Sequence, residues 1–188
     1  MFETHVVENQ SQAFEGMNFF AIDPALQEAV ARAGIDAGGV AQLQQLGDKI
    51  AAATLQDWPR LANVHSPRLQ NYNRQGQRVD EVEFHPAWHE LMNLMISEGV
   101  HASPWQAKAT SAPTAQALRA AKYILFGQLE NGAQCPVTMT YASVPALKLA
   151  PAIAEKWLPK VFSRQYDPKS APMEQKTGVL IGMGMTEK

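Results

Sequence analysis

Apolar positions recur every three to four residues through most of the chain, the spacing of one buried face on an α-helix. Asp23-Pro24 opens the first such run, Asp offering a side-chain acceptor to the first turn and Pro presetting its φ, and Gly34 closes it. Val40, Leu43, Leu46 or Gly47, and Ile50 predict a second helix from Ala37 to Thr54, with Trp58-Pro59 expected to bend or end it. Ser66-Pro67 reads as the start of a short helical turn, and the polar cluster Asn71 to Gly76 as a turn. Val82 and Phe84 alternate with Glu81 and Glu83, which predicts a brief strand or extended piece. From Pro86 the helical period returns through Trp88, Leu91, Met92, Met95 and Ile96, stopping at Gly99. The clearest helix runs from Pro113 to Glu130 on Leu118, Ala121, Leu125 and Leu129, and Asn131-Gly132 would end it in a left-handed conformation. Further helices start near Pro136, with a break near Pro145, and cover Pro151 to Phe162, shortened or kinked by Pro159.

Two stretches escape this period. Phe2 to Phe20 shows none and reads as a segment extended over some other surface. Past the polar connector Tyr166 to Lys176, Val179-Leu180-Ile181 is a continuous apolar, β-branched run leading into Gly182-Met183-Gly184-Met185. That pattern predicts a buried strand and a backbone-exposing turn. A single strand cannot satisfy its own backbone hydrogen bonds, so its partners are expected downstream or in another copy of the chain. The fold expected is mainly α: an extended segment over 1–22, a helical domain over 23–166, and over 167–188 a connector with the first strand of a truncated β domain. Such a chain is expected to be inactive alone. The alternative is a non-catalytic interaction module that oligomerises through the C-terminal strand.

Composition narrows the function more than the fold. With 188 residues, 46% hydrophobic and 18% charged, the chain is globular and long enough to bury a core. A net charge of −2 without a long Lys/Arg run leaves no electrostatic footprint for DNA or an anionic membrane. No stretch approaches a membrane span, and the amino terminus carries charge where a signal peptide needs an apolar core, so a cytoplasmic protein is expected. The one cysteine, Cys135, is expected to pack as a small hydrophobe.

Candidate chemistry is sparse. His85 and His89, four residues apart, would share a helix face suited to a metal, but His85 precedes Pro86 at the helix start and the order is not HExxH. Capping or interface packing is the favoured reading, and His101 stands alone. Met92 and Met95 read as core. Thr138, Thr140 and Tyr141 bring hydroxyls to a helix start, where they line a pocket or bond back to the preceding turn. The glycines of Gly182-Met183-Gly184-Met185-Thr186-Glu187 would let a planar ligand approach the backbone.

Several of these stretches, in this order, resemble one family. Glu155-Lys156-Trp157-Leu158-Pro159-Lys160 and Gly184-Met185-Thr186-Glu187 are similar to the amino-terminal part of acyl-CoA dehydrogenase-type flavoproteins. Arg60-Leu61-Ala62-Asn63-Val64, Phe84-His85-Pro86-Ala87-Trp88-His89 and Cys135-Pro136-Val137-Thr138-Met139-Thr140 resemble its AidB branch. The resemblance implies an N-terminal helical domain ahead of a β domain and a helical bundle, FAD as cofactor, and a homo-oligomer. It also implies weak dehydrogenase activity and a link to the DNA alkylation response, with DNA contacts and the catalytic Glu further downstream. Met185, Thr186, Glu187 and Lys188 would begin the flavin-contacting turn, and FAD is not expected to stay on this chain alone. Its partners would be the remainder of the flavoprotein or other copies of itself.

Overall fold

A computed structural model of the chain describes residues 4–11, 16–108 and 112–184. The helices are α1 (Pro24–Arg32), α2 (Ala37–Ala51), α3 (Ala53–Val64), α4 (Pro86–Ser97), α5 (Ser103–Gln106), α6 (Ala112–Leu129), α7 (Gln134–Lys148) and α8 (Pro151–Val161). A hairpin of β1 (Arg68–Tyr72) and β2 (Arg78–Glu83) joins α3 to α4, and a 3-10 turn covers Met173–Gln175. The predicted fold class, mainly α with a short hairpin, is the one observed.

Local chemistry accounts for most boundaries. Asp23 and Asp36 accept from the Leu26 and Gly39 amides at 2.9 and 2.7 Å, capping α1 and α2. Gly34 (φ 70°) and Gly99 (φ 73°) take the left-handed conformation just past α1 and α4. The core gathers the stripes the period marked: Leu43, Leu46 and Ile50 of α2, Leu91, Met92 and Met95 of α4, and Leu125 of α6 are all buried.

Several expectations are corrected. Trp58-Pro59 does not end a helix; the break falls at Ala52, whose ψ of 129° is extended, and α3 continues through Pro59. Nor does Pro145 interrupt α7. Proline cannot donate to the Tyr141 carbonyl one turn back, and the Trp105 indole N–H takes that acceptor instead at 2.9 Å. Pro159 likewise stays inside α8. Gly132 is not left-handed; both Glu130 carboxylate oxygens accept, from the Gly132 and Ala133 amides, and these bonds shape the turn into α7. Ser66-Pro67 leads into a strand rather than a helical turn. Phe19 and Phe20, at the end of the segment expected to cover another surface, insert into this chain's own core at 3% exposure each. Cys135 is exposed, because the buried stripe of α7 runs through Gln134, Val137, Thr140 and Val144 and passes it by.

The C-terminal segment is the correction that matters for function. Val179–Met183 runs extended and half-buried to exposed, and forms no ladder with another strand among the described residues. It lies instead against the helices: the Val179 amide donates to the Lys160 carbonyl at 3.3 Å and the Ile181 amide to Thr140 Oγ1 at 3.0 Å.

Candidate flavin-facing edge and the cavity behind it

Thr140 is the pivot of the C-terminal segment. It is fully buried in α7, and its hydroxyl donates to the Pro136 carbonyl at 2.8 Å, the bond to the preceding turn expected of a helical threonine. The oxygen's remaining acceptor capacity receives the Ile181 amide, so of the two readings left open for Thr140 the bond to the preceding turn is the one observed, with a tie to the C-terminal segment added. Thr140→Val keeps the shape and removes the acceptor. It is expected to cost about 1 kcal/mol and to speed hydrogen exchange at the Ile181 amide. Unchanged exchange there would show that the segment is held some other way.

Beyond Ile181 the chain turns outward. Gly182 has open space where a Cβ would stand, and Met183 is 44% exposed. Unshielded backbone of this kind suits the polar edge of a planar group, so the residues present fit one side of a flavin. Met185, Thr186, Glu187 and Lys188, expected to begin the flavin-contacting turn, lie outside the described residues.

Behind the segment, a cavity of about 440 Å³ is walled by β2, α4, the connector and Gly178 to Leu180. Phe84 and Trp88 stack at 4.1 Å, and Tyr166 meets His89 Nδ1 at 2.8 Å. Burial lowers the His89 pKa, against the Glu90 charge, and pushes Tyr166 up to about 12, with Asp167 adding to the rise. A neutral imidazole and a protonated phenol share this one hydrogen bond, its direction following the imidazole tautomer. The pair clasps the connector onto α4. Asp167 closes the connector on itself by accepting from the Thr177 amide at 2.9 Å and the Lys169 amide at 3.1 Å. Those backbone donors hold its carboxyl below the usual range.

His85 and His89 do not form a metal pair. His85 Nδ1 accepts from the Ala87 amide at 3.1 Å and caps α4, with its ring stacked on His65, while His89 faces Tyr166. Among the described residues no group of three or more His, Cys, Asp or Glu is arranged to hold a metal, and no helix is long and apolar enough to cross a membrane. His101, read from sequence as isolated, is 1% exposed and touches Ser163. Burial pushes its pKa down to about 4, outweighing the Ser163 carbonyl. Tyr166 and Asp167 gave no sequence signal, since both sit in a connector whose polar composition looks like any loop.

The model of the adaptive response protein AidB N-terminal domain matches residues 9–168. The chain belongs to that family. It is 43% identical over 188 residues to the putative acyl-CoA dehydrogenase AidB of Escherichia coli K12, covering 99% of this chain and 34% of that protein. Acyl-CoA dehydrogenase family member 11 of Caenorhabditis elegans is 29% identical over 108 residues, 57% of this chain and 17% of its own length. The chain therefore spans about a third or less of the curated relatives it matches. In fold it is similar to C. elegans ACDH-11 in complex with C11-CoA, with a TM-score of 0.71 at 24% identity over 87% of this chain and 29% of that one. A second solved structure, Bd2924 in its apo form, gives a TM-score of 0.68 at 23% identity, covering 80% of this chain and 30% of that one. The fold and the AidB-like character expected from the residues are thus both shown.

Proposed function

We propose that this chain serves as the helical N-terminal part of an AidB-like, FAD-dependent acyl-CoA dehydrogenase-type oxidoreductase tied to the DNA alkylation response. The observation that carries this reading is the geometry of its C-terminal segment. Thr140 and Lys160 pin an apolar run against α7 and α8 and leave the Gly182–Gly184 backbone open, just ahead of the stretch matching the family's flavin turn. FAD, when bound, supplies the hydride acceptor for dehydrogenation. This chain's part is to set one edge of the site. Thr140 and Lys160 fix the height of the segment, and Gly182 lets a ring come close. Met185, Thr186, Glu187 and Lys188 would make the first polar contacts.

Several features follow from the same reading. Acyl-CoA thioesters are the ligand class, in line with the C11-CoA held by the C. elegans neighbour. Proton abstraction beside the thioester needs a positioned carboxylate. The cavity acids are each engaged elsewhere: Asp167 is taken up by backbone amides, Asp80 pairs with Arg78 at 2.6 Å, and Glu83 accepts from Gln70 at 3.0 Å. The chain works in the cytoplasm with the remainder of such a flavoprotein or with other copies of itself, and its net charge of −2 leaves DNA contact to other parts. Alone it is inactive. Dialysed against buffer after saturation with FAD, the isolated chain is expected to come through colourless, and a persistent flavin absorbance band would contradict the assignment of a single edge.

A further inference from the structure

The hairpin between α3 and α4 stands apart from the core. Every residue of β1 and β2 is exposed, and neither strand packs on a helix as closely as on the other. A two-stranded hairpin is marginal in water by itself. This one also leaves Leu69 60% and Val82 53% exposed, opposite one another on one face.

The two edges of the hairpin differ. Arg78 to Glu81 takes three steps along β2 where Tyr72 to Gln70 takes two along β1, so β2 carries a bulge. Asp80 in that bulge has a φ of 48° and pairs with Arg78 at 2.6 Å. The bulge and the charges of Asp80, Glu81 and Glu83 close this edge to further strands. β1, Arg68-Leu69-Gln70-Asn71-Tyr72, has no extra residue, no proline and a single charge at its end. Alternate amides and carbonyls of β1 point away from β2. Among the described residues, no backbone hydrogen bond from outside the hairpin reaches them.

That open edge complements itself. Two β1 strands antiparallel about Gln70 set Arg68 opposite Tyr72 of the second copy, Leu69 opposite its Asn71, and Gln70 opposite its Gln70. No like charges meet. Arg68 shares a face with its own neighbour Glu83, and Tyr72 with Arg78. Each outer row therefore reads carboxylate, guanidinium, phenol, guanidinium, with cations placed beside an aromatic ring. On the other face, the Leu69 side chains of the two copies become diagonal neighbours, each backed by its own Val82. Pairing β2 with β2 about its centre would instead set Asp80 against Glu81.

We propose that β1 pairs with β1 of a second copy of this chain, making a four-stranded antiparallel sheet in the order β2-β1-β1-β2. Strand addition of this size buries little surface, so the association is weak and reversible. It uses no residue of the flavin-facing edge and its test contains no flavin, so either reading can fail without the other.

Sedimentation of the 188-residue chain from about 10 µM to about 1 mM is expected to show a dimer with a Kd inside that range. Over the same range, hydrogen exchange should slow at the outward amides of β1. Gln70→Glu, at an exposed position, lines up four carboxylates with Glu81 across the two copies and should raise Kd at least about fivefold. Mixed with unlabelled Gln70→Lys, a fluorescently labelled Gln70→Glu chain should pair again, with a Kd within about twofold of the wild type. The wild-type exchange measurement keeps the test open should either variant disturb its own hairpin. A monomer throughout, β1 exchange that ignores concentration, wild-type affinity in Gln70→Glu, or no pairing in the mixture would each overturn the proposal.

Discussion

Replacing Glu98 by alanine is expected to destabilise the fold by about 3 kcal/mol, because it strands a charge the helices have enclosed. Lys122 of α6 is 4% exposed, and its Nζ reaches Glu98 Oε2 at 3.2 Å, the Glu98 carbonyl at 3.1 Å and Gln42 Oε1 at 3.0 Å. Glu98 also accepts from Lys49 at 2.6 Å, so one carboxylate ties α2, the end of α4 and α6 together. Removing it leaves the buried ammonium with two neutral acceptors. For a chain of this size, the loss corresponds to a drop of roughly 6–12 °C in Tm. Lys122→Met is the informative contrast. Glu98 keeps Lys49, the methionine fills similar space, and the expected cost is only about 1 kcal/mol.

The pH dependence has a definite sign. Burial would raise the Glu98 pKa, but the Lys49 hydrogen bond and the Lys122 charge outweigh it and leave the carboxyl below its ordinary value of 4.5. Its contribution is therefore fully present above that value and is lost as pH falls through the lower folded-state pKa. Burial lowers the Lys122 pKa against the pull of Glu98, and the variant lowers it further. The deficit of Glu98→Ala should accordingly shrink as pH rises toward the ordinary lysine value of 10.5. Thermal melts of both variants between mildly acidic and alkaline pH check this. Equal losses in Glu98→Ala and Lys122→Met would show that the network is not held by Glu98.

Gly178→Ala is expected to have the second largest effect, about 2 kcal/mol, and to act on the site as well as on stability. A Cβ at Gly178 would stand 2.3 Å from the Gln165 carbonyl oxygen, with Ser163 at 3.3 Å on its other side. The obstacle is backbone and cannot swing away. Either the connector opens or the segment lifts off α8, and both routes break the Val179 to Lys160 and Ile181 to Thr140 bonds. Hydrogen exchange should quicken at Val179 and Ile181 while the amides of α2 and α4 keep their protection. A variant with wild-type exchange at those two amides would mean that the segment does not depend on close contact at Gly178.

The helices were legible because their buried faces repeat. Leu43, Leu46 and Ile50, or Leu91, Met92 and Met95, announce a helix whatever it packs on. The prolines misled for a physical reason. Pro145 costs α7 a backbone bond that Trp105, forty residues away in sequence, makes good, and no local rule contains that indole. Strand β1 was missed because every residue of both strands is exposed, so no alternation of burial marks it, and Leu69 and Tyr72 fall at a helix-like spacing. In the C-terminal segment the apolar run gave the extended conformation but exaggerated its burial. The proposed flavin-contacting stretch, Met185 to Lys188, rests on family resemblance alone and lies outside the described residues. His101 and Tyr166 acquire meaning only when the chain folds them against the same cavity.

In the proposed role, this chain presents the Gly182–Gly184 backbone in the place an AidB-like flavin site needs it. The direct test is to substitute the whole chain for the matching third of the E. coli relative and to measure flavin after gel filtration. A folded hybrid that elutes with its flavin bound is the predicted result; a folded hybrid that elutes colourless would contradict it.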